Sequence, residues 1–334
     1  MTDPAQEGKS HIDVLDGWRA LSILLVLFSH WFPTPRAWQL NDVAGAAGMA
    51  IFFVLSGFLI TRALLKDDRV IPFIIRRLCR IVPLAWAAMA ILAVFSFPGA
   101  DVVLANFLFV SNLPPARLME GGHHLWSLCV EVQFYAMIAL LAAVGGRKAL
   151  LLLPIIALLV TGLRVFSHQY ISIVTWHRVD EILAGAMAAL IVVHFSERLH
   201  RFRLRAWHVA VLALCLFASS HPNTGWLQYL RPYCAGLMVL ASVYIAPGML
   251  KNALTSRPAR YIAQISYALY VVHGMLTATW LGGNGLPKLQ QYALRPLLAA
   301  VSFCLAHFST FYYEKIWTDW GKRLTAGHRK QPVS

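Results

Sequence analysis

The sequence predicts an all-α fold: a polytopic membrane helical bundle of about ten transmembrane helices, with both termini cytoplasmic. Three observations carry that prediction. Hydrophobic residues make up 58% of the 334 positions and charged residues only 13%, against about 45–50% and about 25% in a soluble domain. The apolar residues fall in successive runs close to the ~20 residues that a bilayer requires. The Lys and Arg residues collect between alternate runs, as the positive-inside rule demands. This much apolar surface cannot be packed inside one water-facing core of such size, which excludes a soluble enzyme, a disordered chain and a fibrous repeat. The net charge of +14 would also suit nucleic-acid binding. That function needs a dense basic patch on a polar domain, whereas the basic residues here sit in short runs between apolar stretches, so no nucleic-acid partner is expected.

In chain order, residues 1–12 form a polar tail without the apolar core of a cleavable signal peptide. A transmembrane domain is expected over 13–313 and a basic cytoplasmic tail over 314–334. The expected spans are 13–32, 43–63, 81–98, 125–145, 149–166, 179–195, 208–220, 232–249, 262–281 and 295–313. The stretch 102–113 is apolar but short, and suits a re-entrant or flat segment. With the N-terminus inside, 22 of the 29 Lys and Arg fall on the cytoplasmic side. The five cysteines, Cys79, Cys129, Cys215, Cys234 and Cys304, contain no CxxC pair and read as small apolar packing residues. No HExxH, GxSxG or Walker-type motif occurs, and no metal site or bound cofactor is expected.

An ionisable residue inside a span costs at least ~2.5–3.5 kcal/mol on insertion scales and therefore points to function. The first span carries Asp16 and Arg19 near its inner end and His30 toward its outer end. Eleven helical steps of about 100° leave Arg19 and His30 about 20° apart in azimuth and about 16 Å apart along the axis. One helical stripe thus holds a cation at one level and an imidazole at another, before Pro33 and Pro35 end the helix.

The fourth span places Ser127, Glu131 and Tyr135 at i, i+4 and i+8, a second polar stripe. Glu131 needs a partner, and His30 is a natural one, giving a base and its orienter. The alternative is that Glu131 locks two helices together by hydrogen bonds. The inner loop after the second span ends in Arg76-Arg77-Leu78-Cys79-Arg80. Arg76 and Arg80 share a helical face there, where guanidinium groups can grip phosphate bidentately; plain positive-inside topology is the competing account. Ser266, Tyr270 and His273 form a third stripe, equally suited to helix packing and to chemistry. Arg178, Asp180 and Glu181 can pair among themselves, and His194 and His307 read as isolated packing residues.

With these stripes in place, the sequence resembles the acyltransferase 3 family of bacterial membrane proteins over residues 11–313. The opening Leu15-Asp16-Gly17-Trp18-Arg19 through His30 is similar to the family's Arg and His with ten residues between. Phe52-Phe53-Val54-Leu55-Ser56-Gly57-Phe58-Leu59-Ile60-Thr61 resembles its second-helix signature, and Arg77 with Arg80 its RxxR element. Trp126-Ser127-Leu128 with Glu131 and Gln133-Phe134-Tyr135 matches the fourth-span motif. Arg178-Val179-Asp180 with Gly185, and Ser266-Tyr267 through Tyr270 and His273, match later elements. Two departures stand out. Val132 occupies a position where many members have a second Glu. The C-terminal SGNH-type domain of many members has no counterpart here, so the stand-alone form is expected.

The resemblance implies an O-acyltransferase of the bacterial inner membrane, with acyl-CoA, expected to be acetyl-CoA, as donor from the cytoplasm. The implied acceptor is a hydroxyl of a glycan or lipid-linked sugar on the outer face. His30 would act as general base with Glu131 and Arg19 beside it, and Arg76, Arg77 and Arg80 would hold the donor. Asp16, Ser56, Trp126, Ser127, Tyr135, Arg178, Asp180, Tyr270 and His273 would contact substrate or support the site. Membrane lipid, a glycan-synthesis complex and a second copy of the chain are the expected partners. Direct transfer is favoured over an acyl-His30 intermediate. The competing classes are a polytopic carrier for a polar solute and a non-catalytic assembly partner of a glycan-synthesis complex.

Overall fold

The computed structural model describes residues 11–326 apart from 33, 68 and 203. The polar N-terminal tail up to residue 10, Pro33, and the end of the basic tail from residue 327 lie outside the described residues. The described residues form helices and no strand, with one isolated bridge between Leu204 and Ile245. The helices are α1 (Val14–Trp31), α2 (Leu40–Lys66), α3 (Val70–Ser96), α4 (Ala100–Phe107), α5 (Trp126–Ala149), α6 (Leu153–Phe166) and α7 (Asp180–His200). They continue as α8 (Ala206–Ser220), α9 (Arg231–Val243), α10 (Met249–Leu254), α11 (Arg257–Thr277), α12 (Lys288–Phe308) and α13 (Lys315–Ala326). Five stretches are long and apolar enough to cross a bilayer: Leu40–Lys66, Val70–Ser96, His123–Phe166, Asp180–Leu199 and Lys288–Ala326. The protein is an all-α polytopic membrane bundle.

Each expected span coincides with a helix, with shifted ends. α3 begins at Val70, eleven residues before the expected start, because Ile, Leu and Arg all sustain a helix. Arg76, Arg77 and Arg80 therefore stand on a helix and not in a loop. α9 stops at Val243, short of the expected 249, ahead of Pro247-Gly248. α11 starts early, at Arg257, where Ser256 accepts a hydrogen bond from the Ala259 N–H and Pro258 occupies the first turn, a favourable N-terminus. The apolar stretch after α3 becomes the eight-residue α4, too short to span a bilayer, tied to α3 by the Trp86 indole N–H donating to the Phe107 carbonyl at 3.0 Å.

α2 is the central helix, buried over most of its length against α1, α7 and α9. Its crossing with α7 depends on glycine. A Cβ on Gly57 would lie 1.8 Å from the Ile182 carbonyl oxygen, and one on Gly185 would lie 1.9 Å from that of Val54. Two small residues facing each other this way let membrane helices approach to backbone contact. At one end of the bundle α13 packs on α3, with Gly321 against Cys79 and the Arg76 guanidinium donating to Thr325 at 3.4 Å.

At the other end, charge is buried in a compact network. Arg164 is 1% exposed and Arg231 0%. Arg164 ion-pairs with Asp180, while Glu181 takes Arg231 at 2.8 Å and Arg178 at 3.3 Å. Buried charges persist only when paired and hydrogen-bonded. Arg164 also donates to the carbonyls of Gln169 and Tyr170, so the network pins the 167–172 turn onto the head of α7. Arg178 pairs with Glu181 as expected, but Asp180 does not pair with Arg178. Its partner is Arg164, near the end of α6.

Candidate active site

Arg19 and His30 stand on α1 one above the other, and each opens onto a different cavity. The deeper, smaller cavity, about 60 Å³, is lined by Arg19, Ser56, Arg77, Arg80, Glu131 and Tyr135, with Phe52, Ser266 and Tyr267 closing it. Three guanidinium groups and one carboxylate make it positive. Below it a vestibule of about 620 Å³ shares Arg19 and Arg80 and adds Asp16, Arg260, Lys315 and Lys322. At the opposite level lies a cavity of about 490 Å³ lined by His30, Asn41, Asp42, His123, His124, Trp126, Arg178 and Tyr270, among others. That size falls in the range of small-molecule clefts. The small cavity has room for only a few waters at about 10–15 Å³ each.

A stacked aromatic pair divides the two levels. Phe52 lines the small cavity and Tyr270 the large one, with ring centroids 5.8 Å apart and planes 16° apart. Tyr270 is fixed, its hydroxyl 2.6 Å from Ser127 Oγ and bonded to the His124 carbonyl. Phe52 has no such tether.

Glu131 does not meet His30. Its Oε1 accepts from Ser56 and from Tyr135, both at 2.5 Å, and the carboxylate stays in the arginine-lined cavity. The physical reason is the length of α1: the two levels are separated by about three helical turns, and the nearest hydroxyls on α2 and α5 satisfy the carboxylate first. The polar stripe of α5 is therefore split, Ser127 facing Tyr270 while Glu131 and Tyr135 face the arginines. His30 instead contacts His273 of α11, Nδ1 to Nε2 at 2.8 Å. The ring is exposed to the large cavity. Its neighbour His124, buried against His273 with centroids 4.8 Å apart, was not among the expected site residues; the signal was the His123-His124 pair directly before the Trp126-Ser127 motif.

The other expected residues divide as follows. Arg77 and Arg80 reach the small cavity, and Arg77 also lies over the Phe73 ring at 5.7 Å. Arg76 does not; it turns to α13. Asp16 stays at the vestibule, 2.7 Å from His11. Arg178 lies within cation–π distance of two rings that meet edge-on, Trp126 at 5.4 Å and Phe53 at 5.8 Å. Asp180 lies in the buried ion-pair network with Arg164. Val132 faces an apolar groove with Val82 and Trp86, so a second carboxylate at this position would not have entered the small cavity. His307 is not isolated: its Nδ1 lies 3.1 Å from the Tyr261 hydroxyl. Among the described residues no cluster of His, Cys, Asp and Glu could hold a metal ion.

The helical bundle thus carries a cationic chamber at the level of Arg19 and a histidine-bearing chamber at the level of His30. The acyltransferase 3 family, described as an acyltransferase domain, matches residues 12–315, and the chain belongs to it. It is a multi-pass membrane acyltransferase, which sets the carrier class aside. Nodulation protein 10 of Rhizobium leguminosarum bv. viciae is 24% identical, covering 84% of this chain and 88% of that protein. Peptidoglycan O-acetyltransferase OatA of Listeria monocytogenes is 25% identical over 79% of this chain and 49% of its own length, so the chain spans about half of that relative. A putative membrane-bound transacylase, BcsY of Komagataeibacter xylinus, is 24% identical over 80% of this chain and 74% of its own. No solved structure matches the chain.

Proposed function

We propose that this protein is an O-acyltransferase of the bacterial inner membrane that moves an acyl group, expected to be acetyl, from cytoplasmic acyl-CoA to a hydroxyl on a surface or exported glycan. The observation that carries the proposal is the pair of cavities strung along one face of α1, arginine-lined at Arg19 and histidine-lined at His30. The positive-inside rule puts the arginine end in the cytoplasm. The vestibule and small cavity then receive the donor, with Arg77 and Arg80 on its phosphates, where guanidinium forks bind well. The small cavity admits only the slender end of the donor. The thioester therefore has to pass the Phe52–Tyr270 pair to reach an acceptor hydroxyl beside His30.

At that point His30 takes the hydroxyl proton as the oxygen attacks the thioester carbonyl. The new C–O bond forms, the C–S bond breaks, and the proton returns from His30 to the departing thiolate. OatA, a peptidoglycan O-acetyltransferase by name, supports a glycan as the acceptor class. The test replaces His30 by Ala and measures base-released acetate from the cell-surface glycans of a deletion strain carrying the variant. General-base catalysis contributes about 10²–10⁴-fold, so acetylation is expected to fall below detection at unchanged protein level in the membrane. Wild-type acetate content in that strain would remove His30 from the chemistry.

A further inference from the structure

The His30–His273 contact has a direction that its geometry fixes. His273 Nδ1 lies 2.6 Å from the Tyr270 carbonyl oxygen. A carbonyl can only accept, so that nitrogen carries a proton. The His273 ring is fully buried and among the described residues no carboxylate bonds to it, so with Nδ1 donating its Nε2 is the lone-pair acceptor. That acceptor faces His30 Nδ1 at 2.8 Å. The rings are 8° from parallel with centroids 5.0 Å apart. Parallel rings whose nitrogens are so much closer than their centroids meet edge to edge in one plane, which is hydrogen-bond geometry and not a face-to-face stack. His30 Nδ1 is therefore the donor, and its Nε2 is left as the unprotonated nitrogen on the exposed edge of the ring.

We propose that His273 is a positioning residue for the acyl transfer described above. By accepting from Nδ1 it selects the one neutral tautomer of His30 in which Nε2 can take a proton from an acceptor hydroxyl. The Tyr270 carbonyl plays the part that a carboxylate plays in a triad, setting the tautomer of the ring that sets the base. His124 locks the arrangement from the side. Its Nε2–H donates to the Val271 carbonyl at 3.0 Å, and its ring meets His273 at 63°. No carboxylate takes part, which accounts for a His base whose expected partner, Glu131, is occupied elsewhere.

The inference rests on His30 being the base, and the test separates the two. His273→Leu keeps the bulk and removes the acceptor, whereas His273→Gln offers a side-chain oxygen to the same Nδ1–H. Acetate released from surface glycans is expected to fall about 10²–10⁴-fold in the Leu variant, as for loss of the base itself, and to stay within about tenfold of wild type in the Gln variant. A purely structural role would not be rescued by Gln in this way. Full-length protein labelled with ¹⁵N-histidine in bilayers gives a second readout. The His30 signals, assigned by their loss in His30→Ala, should show a protonated Nδ1 and an unprotonated Nε2 in wild type, and an exchanging or Nε2-protonated ring in His273→Leu. An inactive His30→Ala beside a fully active His273→Leu overturns the positioning role alone. So does an unchanged His30 tautomer in the Leu variant. A fully active His30→Ala overturns the underlying reaction scheme instead.

Discussion

If the acyl thioester must pass between two cavities, the Phe52–Tyr270 pair decides how often it can. Tyr270 is tethered through its hydroxyl and Phe52 is not, so opening means swinging the Phe52 ring away from its partner. A stacked aromatic pair is worth about 0.5–1.5 kcal/mol beyond the area it buries, and that contact is lost in the open state. Phe52→Ala removes the contact from the closed state too, lowering the cost of opening by the same amount. The open population then rises by about 2- to 13-fold. A cavity of about 490 Å³ with polar lining residues can admit water, so the expected symptom is leakage: acyl-CoA hydrolysed without acceptor. In that side reaction water attacks the thioester carbonyl, the acid is released and the thiolate takes up a proton. The assay is free-thiol appearance from acetyl-CoA with purified protein in detergent and no acceptor. A rise of several-fold is expected for Phe52→Ala, with Phe52→Leu between it and wild type. Acceptor-independent thiol release that is identical in all three proteins, while wild type still acetylates glycan in cells, would refute the idea that this ring pair closes the passage.

Two further substitutions probe the scaffold and the donor end. Gly57→Ala or Gly185→Ala forces a methyl group into a carbonyl oxygen under 2 Å away, and overpacking of this kind costs about 1–3 kcal/mol or more. A thermal-aggregation midpoint in detergent several degrees below wild type is expected for each, and an unchanged midpoint would mean that the α2–α7 crossing has room for a methyl group. Arg77→Ala and Arg80→Ala should raise KM for acetyl-CoA at least tenfold with a smaller change in kcat, since loss of a charge-assisted phosphate contact removes about 1.5–3 kcal/mol of binding. Arg76→Ala, on the α13 side, should leave KM unchanged; equal effects at all three arginines would deny the cavity its role in donor binding.

Membrane immersion makes much of the fold legible in sequence. A run of apolar residues near bilayer length has one stable solution, an internally hydrogen-bonded helix, and every expected span is helical. The ends shift because nothing in an apolar count marks where a helix outruns the lipid, as α3 does with its arginines. The stripe on α1 was legible for the same reason: 3.6 residues per turn is a local property, and it fixes the relation of Arg19 to His30 whatever surrounds them. Arg77, Arg80, Ser56 and Tyr135 line one cavity with Arg19, a grouping that helical spacing alone does not assign.

Partners across helices are a different quantity, and there the reading from sequence failed in an instructive way. A buried carboxylate and a histidine form an obvious pair on paper, and residue type alone pairs Glu131 with His30. Pairing, however, depends on depth along the bundle as well as on face. Glu131 sits at the level of Ser56 and Tyr135, whose hydroxyls reach it at 2.5 Å, while His30 sits about three turns away at the level of His273. Sequence spacing within α5 and α11 ranks the depths of their residues relative to their own helix only. The offset between helices is set by loops and by crossings such as Gly57 on Ile182, and no periodicity within one helix contains it. The same holds for Arg164 and Arg231, whose burial follows from the acidic pair at the head of α7 and not from their own surroundings in the chain. What separates the two levels chemically is then plain. The Glu131 carboxylate lies with the arginines, where it tempers a positive chamber, while His30 lies against the imidazole of His273, itself bonded to a backbone carbonyl, and the carboxylates of Asp180 and Glu181 at that end are taken by arginines.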